Sequence, residues 1–165
     1  FPNLIVTRTF SKIYGLAAVR FGYSVSSPAF ADLLNRARQP FNVNSLAMAA
    51  VMAALEDDDY VAQSIALNRA GMKQMTEGLT ALGYDFIPSA GNFVAFDCGE
   101  SGGDLFQRML KEGVIVRAIA EYGLPNHVRV SIGLAAENER FLAVLGKVGA
   151  NAAGSGAGNK NAPGS

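Results

Sequence analysis

Short hydrophobic runs open the chain, and polar residues or proline close each of them. Three consecutive apolar residues within residues 3–9 predict a strand covered on both faces, and residues 19–26 predict a second strand. Ser27 and Pro28 predict a helix start, because serine favours the N-cap and proline the first helical position. Pro40 ends this helix. The chain is therefore expected to begin with two strands and a helix.

Two further helices are predicted before residue 83. Residues 45–55 are apolar on all sides and follow Asn44, a favourable N-cap, so we expect a helix buried against other elements or another subunit. Residues 60–82 predict a helix about 35 Å long, which is long enough to link two domains. Gly83 is expected to end it.

The pattern changes after Gly83, where short apolar segments alternate with amphipathic ones. Strands are predicted at residues 84–87, 92–97, 114–117 and 127–132, with helices at 104–112 and 136–148. We therefore expect residues 1–83 to be part of a large domain that includes the linking helix, and residues 84–150 to form a small α+β domain. Residues 151–165, rich in small and polar residues, are expected to be a disordered tail.

Composition and charge narrow the possible partners and settings. Fourteen basic and 14 acidic residues give a formal net charge of zero, which argues against nucleic acid as a main partner. No apolar run approaches the roughly 18 residues of a membrane span, and no signal-peptide pattern is present. Cys98 is the only cysteine and His127 the only histidine. A cytoplasmic protein without intrachain disulfides or a metal site is expected.

The strongest chemical signal lies between the first two predicted strands. Lys12 follows the first apolar run, with hydroxyls at Thr9 and Ser11 and a guanidinium at Arg20. A lysine amine in this setting suits covalent attachment of a phosphorylated aldehyde, with the hydroxyls and the two-pronged arginine anchoring its phosphate. Pyridoxal 5'-phosphate (PLP) matches that description.

Residues 11–23 read S-K-x-Y-G-L-A-x-x-R-x-G-Y, and this wording resembles the lysine motif of fold-type I, PLP-dependent aminotransferases. The resemblance is closest to the histidinol-phosphate aminotransferase family and spans about residues 3–148. Three later elements agree in order and spacing: residues 40–46, residues 88–94, and the pair 113–117 with 128–133. The implied fold class is α/β: the C-terminal part of such an enzyme, with the end of the large-domain sheet plus helices, then a small α+β domain.

The resemblance implies a homodimeric transaminase of histidine biosynthesis that acts between glutamate and imidazole acetol phosphate. Lys12 would bind PLP covalently and shuttle a proton, while Arg129 would grip the anionic end of each substrate. Strand alternation places Arg129 on one face with His127 and Ser131. Arg117 would assist on the substrate phosphate. Asn92 would approach the substrate, although turn formation explains an asparagine there equally well.

Two alternatives remain open at this stage. A related aromatic aminotransferase or phosphothreonine-type decarboxylase would share the lysine motif, although residues 40–46 favour the histidinol-phosphate branch. A truncated, catalytically inactive fragment of the fold is the other alternative, because the resemblance begins just before the lysine strand.

Overall fold

The structure is a computed structural model that describes residue 1 and residues 3–156, with side chains described as far as Gly149. Contacts divide the chain into a first unit, Phe1–Ala66, and a second unit that begins at Leu67. None of the helices in the described part is long and apolar enough to cross a membrane.

The first unit contains the two strands and two helices predicted from its hydrophobic pattern. The elements are β1, Val6–Thr9, β2, Gly22–Val25, α1, Pro28–Ala37, and α2, Ser45–Leu55. β1 and β2 pair antiparallel, with Thr9 opposite Gly22. Asn44 caps α2 as predicted, because its Oδ1 accepts a hydrogen bond from Ala47 N at 2.8 Å. Ser27 precedes α1 without a side-chain capping bond, so Pro28 alone favours that start.

Burial in the first unit is less complete than the sequence predicts. Leu4 and Ile5 are 50% and 37% exposed and precede β1, which has β2 as its one neighbour within the described residues. On α2 only Ala47 and Val51 are buried, whereas Leu46 is 79% exposed. Within the single chain one stripe of α2 is covered and its other faces remain open, so burial on most faces stays a prediction for an assembly with another subunit.

Helix α3, Asp58–Ala81, is the long helix expected from the sequence, and Gly83, with φ 77°, follows its last turn. The division between the two units by contacts lies inside this helix. Met75 and Leu79 explain its position, because both are fully buried in the core of the second unit. The last turns of α3 thus belong to that unit by packing.

The second unit is the α+β arrangement predicted from the sequence. Its strands are β3, Phe86–Ile87, β4, Phe93–Asp97, β5, Arg117–Ile119, and β6, Leu124–Ser131; its other helices are α4, Gly102–Lys111, and α5, Ala135–Gly156. The strands form one antiparallel sheet in the order β3-β4-β6-β5. Val94, Phe96 and Val128 on one sheet face join Leu105 and Leu145 in the hydrophobic core.

Strand β5 begins where the predicted strand 114–117 ends. Gly113 has φ 77°, and the amide of Val114 still donates to Met109 O at 3.0 Å, so this segment closes α4. Pairing with β6 starts only at Arg117. A helix-ending turn therefore occupies the first part of the apolar run that predicts the strand.

The C-terminal helix α5 continues to Gly156, six residues into the segment expected to be a disordered tail. Alanine has the highest helix propensity, and alanines at 150, 152 and 153 favour this continuation. The rest of the predicted tail, residues 157–165, lies outside the described residues.

Asn138 is the buried polar residue that joins α5 to α3. Its side chain is 2% exposed, and its Oδ1 accepts from Gly133 N at 2.9 Å. Its Nδ2 donates to Gly133 O and to Gln74 Oε1, both at 3.1 Å. Because one amide holds both polar groups of Gly133, it fixes the turn that follows β6.

We expect Asn138→Ala to lower the free energy of unfolding by roughly 1–3 kcal/mol, because it leaves partly buried polar groups of Gly133 and Gln74 without these partners. Urea unfolding followed by circular dichroism measures this. Glu139→Ala, on the exposed side of the same helix, should change stability by less than about 0.5 kcal/mol. Equal losses of stability from the two substitutions would contradict the role of Asn138 in fixing the turn after β6.

Candidate active site

Lys12 lies in the connection between β1 and β2, on a turn anchored by Phe10. Phe10 is 1% exposed, its N donates to Phe21 O at 3.2 Å, and its O accepts from Leu16 N at 3.0 Å. The carbonyl of Lys12 accepts from Gly15 N at 2.9 Å, while its side chain is exposed. The backbone below Lys12 is thus held in place, and its amine is open to a ligand.

Aromatic packing supports the lysine turn from below. The ring of Tyr14 lies 4.6 Å from that of Phe10, and Phe21 meets Phe10 edge-on at 5.4 Å between ring centroids. Tyr14 therefore packs on the buried Phe10 ring. Gly15 has φ 67°, and a β-carbon there would lie 3.0 Å from the Tyr60 hydroxyl oxygen, so the turn requires glycine.

The predicted phosphate donors occupy the same connection as Lys12. Thr9 ends β1, and its hydroxyl oxygen accepts from Ser11 N at 3.1 Å, so the Thr9 hydroxyl hydrogen remains free to donate. Arg20 has φ 57° and donates from Nη1 to Ala17 O at 2.8 Å. A non-glycine residue in this left-handed region is uncommon and is typical of functional loops. One amine, two hydroxyls and one guanidinium suit a phosphorylated aldehyde.

Arg129 and Arg117 lie directly opposite each other on β6 and β5. Val128 and Val130 are buried in the core, whereas Arg129 is half-buried on the other face of the sheet, which confirms the predicted alternation. Like charges directly opposite each other destabilise a sheet. Such a pair is therefore favourable where an anion lies between or beside the two side chains.

The two arginines differ in whether a carboxylate neutralises their charge. Arg117 donates to Glu121 Oε1 at 2.8 Å; this hydrogen bond raises the pKa of Arg117 and lowers the pKa of the Glu121 carboxyl. The guanidinium of Arg129 lies over the Phe93 ring, with Cζ 5.0 Å from the centroid. It has no hydrogen bond or ion pair to another side chain in the part of the chain that the structure describes. Arg129 is the better-placed anion anchor.

Asn92 lies in the loop before β4, and its backbone oxygen accepts from Ile132 N at 2.8 Å. Ser89 Oγ accepts from Gly91 N at 3.1 Å, which is the turn chemistry that the sequence indicates. The Asn92 side chain is exposed and has no hydrogen-bond partner among residues 3–149. Its amide is thus free for a substrate contact.

The predicted residues fall into two groups on separate units of the structure. Those expected to hold the cofactor lie in the first unit, and those expected to hold the substrate lie in the second. Sequence reasoning missed Glu121 and Phe93 as partners of the two arginines. The spacing of Arg117 and Glu121, four residues apart, was a usable signal for the first. Phe93 carried no such signal, because its contact joins β4 to β6.

Among the described residues, Cys98 and His127 show no features of a reactive or metal-binding site. Burial raises the pKa of the Cys98 thiol, which donates to Asn126 O at 2.9 Å, so it behaves as a protonated core residue. Nδ1 of His127 is buried without a hydrogen-bond partner. Across the described residues, no three potential metal ligands come together.

Comparisons with known proteins match most of this chain to one family. The family model described as "Aminotransferase class I and II" matches residues 1–145. Histidinol-phosphate aminotransferase 2 of Pseudomonas fluorescens Pf-5 is 61% identical over 152 residues, which cover 92% of this chain and 41% of the relative. Histidinol-phosphate aminotransferase of Methylobacillus flagellatus is 58% identical over 148 residues, covering 90% and 40% of the two chains.

Solved structures show the same fold. Histidinol-phosphate aminotransferase from Sinorhizobium meliloti, solved in complex with pyridoxal-5'-phosphate, superposes with a TM-score of 0.82 at 32% identity. It is matched over 92% of this chain and 42% of its own. L-threonine-O-3-phosphate decarboxylase from Porphyromonas gingivalis, at 24% identity and a TM-score of 0.79, covers 89% and 47% of the two chains and shows the fold alone.

These matches cover most of this chain but less than half of each relative. The chain spans about 41% of the length of the curated relative from P. fluorescens, so it corresponds to a portion of that fold. The family match, by contrast, runs through residues 1–145 of its 165 residues. It includes Lys12 and Arg129. The chain therefore belongs to the aminotransferase class I and II family.

Proposed function

We propose that this chain serves a PLP-dependent transamination between glutamate and imidazole acetol phosphate, the reaction of a histidinol-phosphate aminotransferase. The observation that carries the proposal is the 61% identity to such an enzyme over 152 residues. The exposed Lys12 amine on its anchored turn, with phosphate donors in the same connection, supports it. Because the chain spans part of its relatives, the reaction is assigned to the complete fold.

Lys12 would perform the covalent and proton-transfer work. Its Nζ would hold the aldehyde carbon, with loss of water, and once released it would move a proton at the substrate carbon. The turn bonds of Phe10 and Gly15 keep the backbone fixed while the exposed side chain moves. PLP, when bound, supplies the electron sink for this chemistry.

Thr9, Ser11 and Arg20 would hold the cofactor phosphate. The two hydroxyls supply single hydrogen bonds, and the guanidinium of Arg20 supplies charge and a fork of donors. Its one hydrogen bond, to Ala17 O, leaves other N–H groups for a phosphate. These three residues would thus hold the phosphate end of the cofactor while Lys12 acts at its aldehyde.

Arg129 would grip the anionic end of each substrate, and Arg117 and Asn92 would assist. A planar guanidinium binds a phosphate or a carboxylate with two parallel hydrogen bonds, so one arginine can serve both half-reactions. Arg117 already binds Glu121, so it would contribute by long-range attraction or after exchanging that partner.

A chimera tests the proposed reaction. We would join this chain to the N-terminal part of the P. fluorescens enzyme, a choice justified by 61% identity. Glutamate-dependent conversion of imidazole acetol phosphate, followed with a 2-oxoglutarate-coupled assay, is the expected result. Preferred turnover of aromatic amino acids, or carbon dioxide release from threonine phosphate, would instead support a related enzyme of this fold. A folded, PLP-binding chimera inactive on all these substrates would favour a catalytically inactive fragment.

Homodimer formation and a cytoplasmic setting complete the proposal. The open faces of α2 support a dimer, because Leu46, Met52 and Leu55 are 79%, 58% and 52% exposed. The free thiol of Cys98 is consistent with a reducing compartment.

We expect the isolated chain to self-associate through the exposed apolar side chains of α2, and Leu46→Glu to weaken that association. Light scattering after size-exclusion chromatography should show a lower average mass for the variant. A glutamate in the first turn of α2 is favourable for the helix, so folding should be retained. Gln63→Glu, on the exposed surface of α3, adds the same charge and should leave the mass unchanged. A monomeric wild-type chain would contradict the prediction.

A further inference from the structure

Asn68 ties helix α3 to the loop that precedes β4. Its Nδ2 donates to Gly91 O at 3.1 Å, a contact between residues 23 positions apart. Thr76 and Thr80 on the same helix use their hydroxyls on carbonyls of α3 itself. The bond from Asn68 is therefore a long-range tether to a loop, not a local helix contact.

Gly91 precedes Phe93 by two residues, and the side of its Cα where a side chain would attach faces that ring. A β-carbon on Gly91 would be 3.5 Å from Cε1 and 3.7 Å from Cδ1 of that ring, which is ordinary van der Waals contact. The backbone of Gly91 is held at both polar groups, at its carbonyl by Asn68 and at its amide by Ser89 Oγ. The tether therefore fixes the backbone two residues before Phe93, from which the ring extends.

The same ring lies beneath the guanidinium of Arg129. Cζ of Arg129 is 5.0 Å from the Phe93 centroid, which is within the range of a cation–π contact. Ile132 N donates to Asn92 O at 2.8 Å and joins β6 to the loop at this end. For the Arg129 side chain, the ring is the visible support within the described residues.

We propose that Asn68 is a positioning residue that orients Arg129 through Gly91 and Phe93; this rests on the proposed function of Arg129 as the substrate-anion anchor. A long arginine side chain loses conformational freedom when it binds an anion. A ring held in place before the anion arrives reduces that loss. Asn68 never touches the anion and acts only by fixing the ring.

Calorimetric titration of the chain with inorganic phosphate tests the inference, with every protein made in an Arg20→Ala background because Arg20 belongs to the proposed cofactor-phosphate site. Asn68→Ala should raise the dissociation constant about threefold to fivefold, the scale of one exposed cation–π contact. Asn68→Gln retains an amide donor and should recover part of the affinity. Gln63→Ala, an exposed polar residue on the same helix, is the matched control and should bind as the wild type does.

Two further readouts separate positioning from folding. Hydrogen exchange of peptides covering residues 88–93 should be faster in Asn68→Ala. Alanine favours the helix more than asparagine does, so the thermal midpoint should not fall. Weaker binding together with a lower midpoint, or unchanged binding, would overturn the inference.

Arg129→Ala, titrated in parallel, separates this inference from the proposed function. It should weaken phosphate binding by at least about tenfold. If Arg129→Ala weakens binding and Asn68→Ala does not, Asn68 loses its assigned role while the anion site stands. If the wild type does not bind phosphate, or Arg129→Ala has no effect, the anion site and the inference both fail.

Discussion

Lys12→Ala is expected to abolish covalent attachment of PLP to this chain. Borohydride reduction followed by peptide mass mapping should find the cofactor mass on Lys12 in the wild type and nowhere at comparable yield in the variant. Among the other described lysines, Lys147 has its ammonium bound to the Glu112 carboxylate at 2.8 Å, and Lys73 lies 3.8 Å from Glu77. Lys12 combines an exposed amine with neighbouring phosphate donors.

Nζ of Lys12 would act both as nucleophile and as proton carrier, so its removal should lower turnover strongly. Turnover of the chimera should fall by about 10²–10⁴-fold from lost proton transfer alone, and further from the lost nucleophile. Lys73→Ala is the matched control and should retain both attachment and turnover. Attachment at Lys73, Lys111 or Lys147 in the wild type would refute the assignment.

The lysine turn was predictable because its information is local. Lys12, Ser11 and Arg20 lie within 10 positions of one another, and the wording around them specifies the connection between two strands. Capping by Asn44 and helix termination at Gly83 are local in the same sense, and both were predicted correctly. Where local structure depends on neighbouring residues, sequence alone was sufficient.

Burial and boundaries were less predictable because they depend on distant partners. The apolar run ending in Val6 predicts a strand covered on both faces, but Leu4 and Ile5 stay exposed where no further strand pairs with β1 in the described region. Helix α3 has no break in its sequence pattern at Ala66, so the boundary there appears only from packing. Helix and strand propensities describe the local preference of each residue and contain no information about contacts with distant residues.

The environment of Arg129 shows the same limit at the candidate site. Alternation predicted its face correctly, because that depends on a period of two residues. Its opposition to Arg117 depends on strand register, and its contact with Phe93 depends on the order of strands in the sheet. Neither could be read from the sequence, yet both define the surroundings of the Arg129 side chain.

Arg129→Ala in the chimera is expected to cripple turnover of both substrates while leaving PLP affinity within about twofold. Losing a charge-assisted contact whose partner stays buried costs roughly 2–5 kcal/mol, which corresponds to about 30-fold to several thousandfold in kcat/KM. Both half-reactions should suffer, since the same guanidinium would bind the phosphate of one substrate and the carboxylate of the other. Steady-state kinetics with each substrate varied in turn measures this.

The control variants separate charge from geometry at Arg129. Arg129→Lys keeps the positive charge but lacks the planar fork and stacks less well on Phe93, so it should recover only part of the lost kcat/KM. Arg69→Ala removes an equal charge from an exposed position on α3 and should leave both substrates unaffected. Full activity in Arg129→Lys would reduce the role of Arg129 to simple attraction. Loss of PLP with normal substrate affinity in Arg129→Ala would place the residue at the cofactor instead.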